Sequence, residues 1–248
     1  MTDTLLDDFI KRAEHFVKSV VLVGSRAEGS EGADSDIDLI ITVDDIPTAK
    51  KLRAIQQSFQ TSKGRPLLDC KIYTEQELSE AKSGREHFFL WTCMQVNKVI
   101  LGQDVLAGIK LVPRKVIDFL WMCTTNVEEA CRKLEAHIEF TGCCFSIYHA
   151  IVSLYFSEKF ILHEGKSRGA KEDFIKSILE TEYDIIRSRY YWVTSHLLDA
   201  PPHVLRIPAG VDKRYKQRNY GAMLSRTEAV LDILHSRIPI VVKMLESL

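Results

Sequence analysis

Between Val23 and Leu39 the chain reads Val-Gly-Ser-Arg-Ala-Glu-Gly-Ser-Glu-Gly-Ala-Asp-Ser-Asp-Ile-Asp-Leu, that is, Gly24-Ser25, ten residues, then Asp36-x-Asp38. Carboxylates two apart on a strand project from the same face, about 6.5–7 Å apart along the backbone, close enough to reach a shared pair of divalent cations. Without metal they repel, and a hard cation such as Mg²⁺, which takes oxygen ligands, relieves that repulsion. A Gly-Ser pair that ends a buried strand and opens a helix turns backbone N–H groups toward an incoming anion. Gly24 lets backbone approach a phosphate closely, the Ser25 hydroxyl adds a donor, and the Arg26 guanidinium reaches the same oxyanions or stays solvated. The chemistry these types permit is metal-assisted handling of a polyphosphate.

A third carboxylate usually completes such a two-metal site. Asp69, in Leu67-Leu68-Asp69-Cys70-Lys71-Ile72-Tyr73, is the candidate. An acid inside an apolar strand implies a cation, a hydrogen-bond network or a solvent-facing edge, because burying an unpaired carboxylate costs several kcal/mol.

The elements that must hold these residues follow from periodicity. Leu5 to Lys18 has apolar residues at helical spacing, and Val20-Val21-Leu22-Val23 reads as a buried strand stopping at Gly24. Ile37, Leu39 and Ile41 alternate as a second strand, Thr48–Gln60 follows Pro47 as a helix, and Leu67–Tyr73 is a third strand. A short helix over Ser83–Met94 and an apolar run from Val96 to Leu101 close this part near residue 110. Beyond Pro113, helices are expected over Lys115–Lys133, Glu135–His163, Lys171–Leu198 and Ser225–Leu248, with one long loop around Pro201, Pro202, Pro208 and Gly210. The expected architecture is an α/β (α+β) domain with a small mixed sheet over residues 1–110, followed by an all-α bundle over 111–248.

Composition narrows the partners. Lys and Arg number 33 against 34 Asp and Glu, a net charge of −1, so a general nucleic-acid coat is excluded and any attraction for nucleic acid must come from a local patch. The six cysteines form no C-x-x-C pair, which argues for buried free thiols and against a structural zinc site. The acidic start (Asp3, Asp7, Asp8) does not resemble a signal peptide, and the longest apolar stretch, Gly142 to Phe156, reads as too short for a bilayer. A cytoplasmic protein with no membrane partner is expected.

The strand, Gly-Ser, ten-residue loop, Asp-x-Asp and later Asp resemble the nucleotidyltransferase superfamily typified by DNA polymerase beta, and specifically its minimal nucleotidyltransferases. Gly24, Ser25, Asp36, Asp38 and Asp69 match that pattern in turn, and Val99-Ile100-Leu101-Gly102 is similar to the family's closing strand. The resemblance covers about residues 5–105. It implies transfer of a nucleoside monophosphate, AMP from ATP, to a hydroxyl of an acceptor, with release of pyrophosphate. Two Mg²⁺ ions would be held by Asp36, Asp38 and Asp69, the nucleotide by Gly24, Ser25 and Arg26, and Asp69 would assist acceptor deprotonation. A protein, a small molecule and an RNA stay open as acceptors.

The helical half, through Phe145-Ser146-Ile147-Tyr148-His149-Ala150, Leu162 to Gly165 and Phe174 to Leu179, resembles the HEPN family and the helical tail of kanamycin-type nucleotidyltransferases. That resemblance implies an alternative function, an RNA-binding or toxin-type ribonuclease module regulated by its nucleotidyltransferase domain. Arg189 would stabilise a cyclising phosphate and His196 would move the proton. Six residues separate the two, and Leu198 stands where one toxin subgroup has tyrosine. His149 and His163 read as a packing and a cap-proximal residue, and Trp121, Tyr148, Tyr155 and Phe156 as core. Tyr190-Tyr191-Trp192 cannot all face one side of a helix, so at least one lines a cleft or an oligomer contact or the helix is deeply buried, with a homodimer open. Arg206 to Arg226 carries six cations against Asp212, an excess of +5, either a solvated face or a steering patch for an anionic acceptor.

Overall fold

The computed structural model describes residues 2–29, 31, 36–59, 68–138, 140–162, 170–187 and 220–247. The chain divides into two compact units, Met1–Val112 and Pro113–Leu248.

In the first unit, β1 (Ser19–Val23), β2 (Ile37–Val43), β3 (Leu68–Thr74) and β4 (Lys98–Leu101) form one sheet in the order β3-β2-β1-β4. β1 pairs antiparallel with β2 and β4, while β2 and β3 run parallel. A parallel pair needs a crossover, and α3 (Ile46–Gln57) supplies it. Asp45 starts α3 by accepting the Thr48 N–H at 2.8 Å, ahead of Pro47 in the first turn. Val20 and Leu22 of β1 and Ile37, Leu39, Ile41 and Val43 of β2 point to one face, where α1 (Thr2–Ala13) contributes Phe9 and α3 contributes Leu52 to a dry core. Alternation leaves Val21, Val23, Asp38, Ile40, Asp69 and Lys71 on the opposite face.

Two short helices follow β3 where one was expected over Ser83–Met94. α4 (Glu75–Ser83) begins with a reciprocal cap, in which the Thr74 hydroxyl accepts the Glu77 N–H and Glu77 accepts the Thr74 N–H. α5 (His87–Gln95) restarts after Gly84.

The second unit is helical: α6 (Pro113–Glu135), α7 (Phe140–Ser157) continued by a π-helical turn (Glu158–Leu162), α8 (Ala170–Leu179), a 3₁₀ turn (Glu180–Glu182) and α9 (Tyr220–Leu245). A helix was expected to run from Glu135 straight to His163. Instead His137 turns the chain in the left-handed region, φ 54°, with Ile138 N–H donating to Lys133 O and His137 N–H to Leu134 O. These are the paired bonds of a Schellman cap, here with no glycine to announce it. Lys171–Leu198 likewise breaks at Leu179, where α8 gives way to the 3₁₀ turn.

Two expectations are corrected here. The apolar stretch on α7 extends over Phe140–Ile161, 22 residues with mean hydropathy 1.3, long and apolar enough to cross a membrane by length and composition. Two-thirds of its most apolar window is buried inside the protein, as in the core helix of a bundle. The stretch includes Glu158, whose buried carboxylate takes two bonds of 2.6 Å from Arg237 of α9. Trp121, expected in the core, is 42% exposed because it lies off the buried α6 row of Val116, Leu120, Cys123 and Val127, whereas Tyr148 and Tyr155 are buried. His149 packs between the Phe119 and Phe145 rings, as expected of a packing residue. All six cysteines are free thiols.

Candidate active site

The site is built at one end of the sheet by register. Val23, the last residue of β1, pairs with Asp38, and Asp38 pairs with Asp69 across the parallel ladder. Asp38 and Asp69 therefore stand side by side on one face, one strand spacing (about 4.8 Å) apart. Asp36, two residues before Asp38 along the chain, lies half-buried just ahead of β2. Further along that row Ile40 and Thr42 are buried, so β2 meets solvent on this face only at its carboxylate end.

Gly24 takes the chain out of β1 with φ +71° and starts α2 (Gly24–Glu28). A Cβ at this position would lie 2.9 Å from the Asp38 Cγ and collide with its Oδ2. The residue is glycine because the Asp38 carboxylate packs directly on its backbone and because the conformation is left-handed. The group that makes the close approach in the structure is a carboxylate of the chain itself. The helix that opens here has only five residues, so its dipole is small, and Val23 at its N-cap gives its first N–H groups no side-chain acceptor. Arg26 donates from Nε to the Asp36 carbonyl at 2.8 Å, tying the turn after β1 to the start of β2. Ser25 and Arg26 are both half-buried.

Asp69 is exposed on the edge strand β3. Of the three explanations for an acid inside this strand, the solvent-facing edge accounts for its tolerance, and its place in the site rests on its register with Asp38. Among the described residues no group of three His, Cys, Asp or Glu side chains stands ready to enclose a cation. The donor chemistry nonetheless suits Mg²⁺, which is commonly held by one or two carboxylates while phosphate oxygens and water fill its remaining positions.

Several neighbours carry no signal in the motif. Lys71, two residues beyond Asp69 on the same face, lies 3.7 Å from Glu86 Oε1 and over the Phe89 ring, 4.6 Å from its centre. The Tyr73 hydroxyl donates to the other oxygen of Glu86. Burial first, then the Glu86 carboxylate, raises the Tyr73 phenol far above its ordinary range. The Cys93 thiol of α5 is pushed up to about 12, mainly by burial and then by the nearby Asp38 charge. Burial, with Asp69 and Asp38 adding to it, also keeps Cys70 protonated. Period-2 alternation from Asp69 points to Lys71 and Tyr73, whereas Glu86 and Cys93 fall in the stretch expected to be helical, Ser83–Met94, which carries no sign of what they meet.

Arg189, His196, His163, Tyr190-Tyr191-Trp192 and the basic run from Arg206 up to residue 219 lie outside the described residues. Arg226, at the end of that run, is described: it pairs with Glu180 and Glu182, which blunts it as a free cation.

Residues 3–88, which span the sheet positions of all three aspartates, match the family model described as "Nucleotidyltransferase domain". No curated protein sequence matches the chain. Among solved structures, a crystal structure of spectinomycin adenyltransferase from Enterococcus faecialis with ATP and spectinomycin is similar at 12% identity, with a TM-score of 0.38, covering 92% of this chain and 96% of that one.

Proposed function

We propose that this nucleotidyltransferase, whose nucleotidyltransferase domain occupies residues 3–88, moves a nucleoside monophosphate, AMP from ATP, onto a hydroxyl of an acceptor and releases pyrophosphate. The observation that carries the reading is the alignment of Val23, Asp38 and Asp69 across three strands directly beneath the Gly24 turn.

In this reading Asp36 and Asp38 would hold the Mg²⁺ that accompanies the triphosphate, and Asp38 and Asp69 would hold a second. The ions supply neutralisation of the charge that builds on the phosphoryl oxygens. The chain does the rest. The turn at Gly24 and Ser25 offers N–H groups and a hydroxyl to the phosphates, and Arg26 keeps that turn fixed to the mouth of β2. Asp69, open to solvent at the edge, takes the proton from the acceptor hydroxyl, whose oxygen then attacks the α-phosphorus as the bond to the β-phosphate oxygen breaks. The buried row behind Asp38 keeps water off the inner side of the site.

The test is incubation of the purified chain with Mg²⁺ and ATP labelled in the α-phosphate, alongside a protein, aminoalcohols and an RNA as acceptors. Label is expected on one acceptor class, and a γ-label is expected on none. Transfer of γ-label alone would mark a kinase and overturn the reading.

A further inference from the structure

Lys71 raises a question that the three aspartates do not answer. Among the residues of β1, β2 and β3 on the carboxylate face it is the only cation, and it stands one step of the strand alternation, about 6.5–7 Å, beyond Asp69. A lysine side chain spans that distance. An ammonium on the same face as two adjacent carboxylates is drawn to them, and because it is fixed to the strand its local concentration is high. Its contacts lie elsewhere, with Glu86 Oε1 at 3.7 Å and the Phe89 ring at 4.6 Å. Glu86 is in turn anchored by the hydroxyl of Tyr73, the next residue of the same row. Asp38 pairs in register with Asp69, two residues before Lys71, so ammonium and carboxylates share one stretch of the sheet face.

We propose that Glu86, together with Phe89, is a positioning device that holds the Lys71 ammonium to one side, so that it does not compete with a divalent cation for the oxygens of Asp38 and Asp69. The inference rests on the reading that those carboxylates hold such a cation. Ammonium and metal compete for the same oxygens, so a lysine released from Glu86 acts as a built-in competitor. The Lys71–Glu86 pair is long and partly exposed, and its effect on the competition is correspondingly modest.

Mn²⁺ is the probe, titrated into the purified full chain while the electron paramagnetic resonance signal of the free ion is recorded. Wild type is expected to bind Mn²⁺ and Asp38→Asn to bind it far more weakly. Glu86→Gln should weaken Mn²⁺ binding about 3–5-fold, the scale of one exposed ion pair. Lys71→Met should bind at least as tightly as wild type, and the double variant Glu86→Gln/Lys71→Met should recover wild-type affinity. Recovery separates the proposal from general loosening of α5, since the double variant restores no bond to Tyr73. If Glu86→Gln binds like wild type, if the double variant stays as weak as Glu86→Gln, or if Lys71→Met binds less tightly than wild type, the positioning role is wrong and the cation site stands. If wild type and Asp38→Asn bind Mn²⁺ alike, the cation site falls as well.

Discussion

The carboxylate of Asp38 rests on the backbone of Gly24, occupying the space where any side chain at residue 24 would begin. The turn that leaves β1 and the acid that leads β2 are thereby a single unit, and the first prediction follows from their contact. Gly24→Ala both strains a left-handed backbone, at a cost of about 1–2 kcal/mol, and displaces the Asp38 carboxylate. Nucleotidyl transfer should fall by more than about 100-fold, since misplacing a charge-stabilising group costs several kcal/mol of the barrier. Gly108→Ala is the control, because Gly108 has φ +76° with nothing within 4 Å of an added Cβ. It should lower the melting temperature to a similar degree and leave transfer unchanged.

Asp36→Asn, Asp38→Asn and Asp69→Asn keep the shape of each side chain and remove its charge. All three are expected to remove most transfer with circular dichroism and melting close to wild type. Asp69→Asn should be the least disturbing to the fold, because its side chain is exposed on the edge strand. Wild-type rates in the Asp38 variant would contradict its role outright.

In the helical unit the Glu158–Arg237 pair makes a stability prediction. Glu158 is 5% exposed and takes both of its 2.6 Å bonds from Arg237. Arg237→Met takes both of these bonds from a buried carboxylate and should destabilise the protein in urea, by up to about 3–5 kcal/mol. Glu158→Gln added to it should regain much of that loss, a coupling that a double-mutant cycle reads directly.

The buried thiols predict an alkaline limit. Cys93 is pushed up to about 12, and Cys123 and Cys131 to about 11, in each case chiefly by burial. A thiol whose folded pKa is raised contributes stability that is complete below the unfolded value, near 8.5, and fades as pH climbs through the folded one. The melting temperature should therefore decline between pH 9 and 12, less steeply in Cys93→Ser than in wild type. Native-state alkylation of Cys93 at pH 8 should be slow, because the thiolate is scarce there.

Much of the first unit was legible because its signals are local. Val20–Val23 is an unbroken apolar run and Ile37, Leu39 and Ile41 recur with period two, and Gly24-Ser25 and Asp36-x-Asp38 sit at their ends. What the sequence hid depends on partners distant along the chain. That Asp69 is tolerated through edge exposure is a property of strand order, and sheet order is not written in β3 itself. Glu86 reaches Lys71 and Tyr73 only after α4 has reversed the chain, and the signal for α4, Thr74-x-x-Glu77, overlaps the end of the strand before it. In the helical unit the break was expected between Lys133 and Glu135 and lies at His137, where a histidine fills a position that glycine usually marks, with its ring against Tyr220. The exposure of Trp121 depends on which face α7 covers, and size and apolarity alone mislead there.

An assembly of Gly24, Asp38 and Asp69 that transfers a nucleoside monophosphate must cleave the triphosphate between its α and β phosphates. The decisive measurement is the identity of the phosphate product released from Mg²⁺ and ATP by wild type and by Asp38→Asn, with a mixed acceptor pool present. Pyrophosphate formed by wild type, and lost both in Asp38→Asn and on addition of EDTA, is the predicted result. Release of inorganic phosphate alone, or equal pyrophosphate from the two proteins, would contradict it.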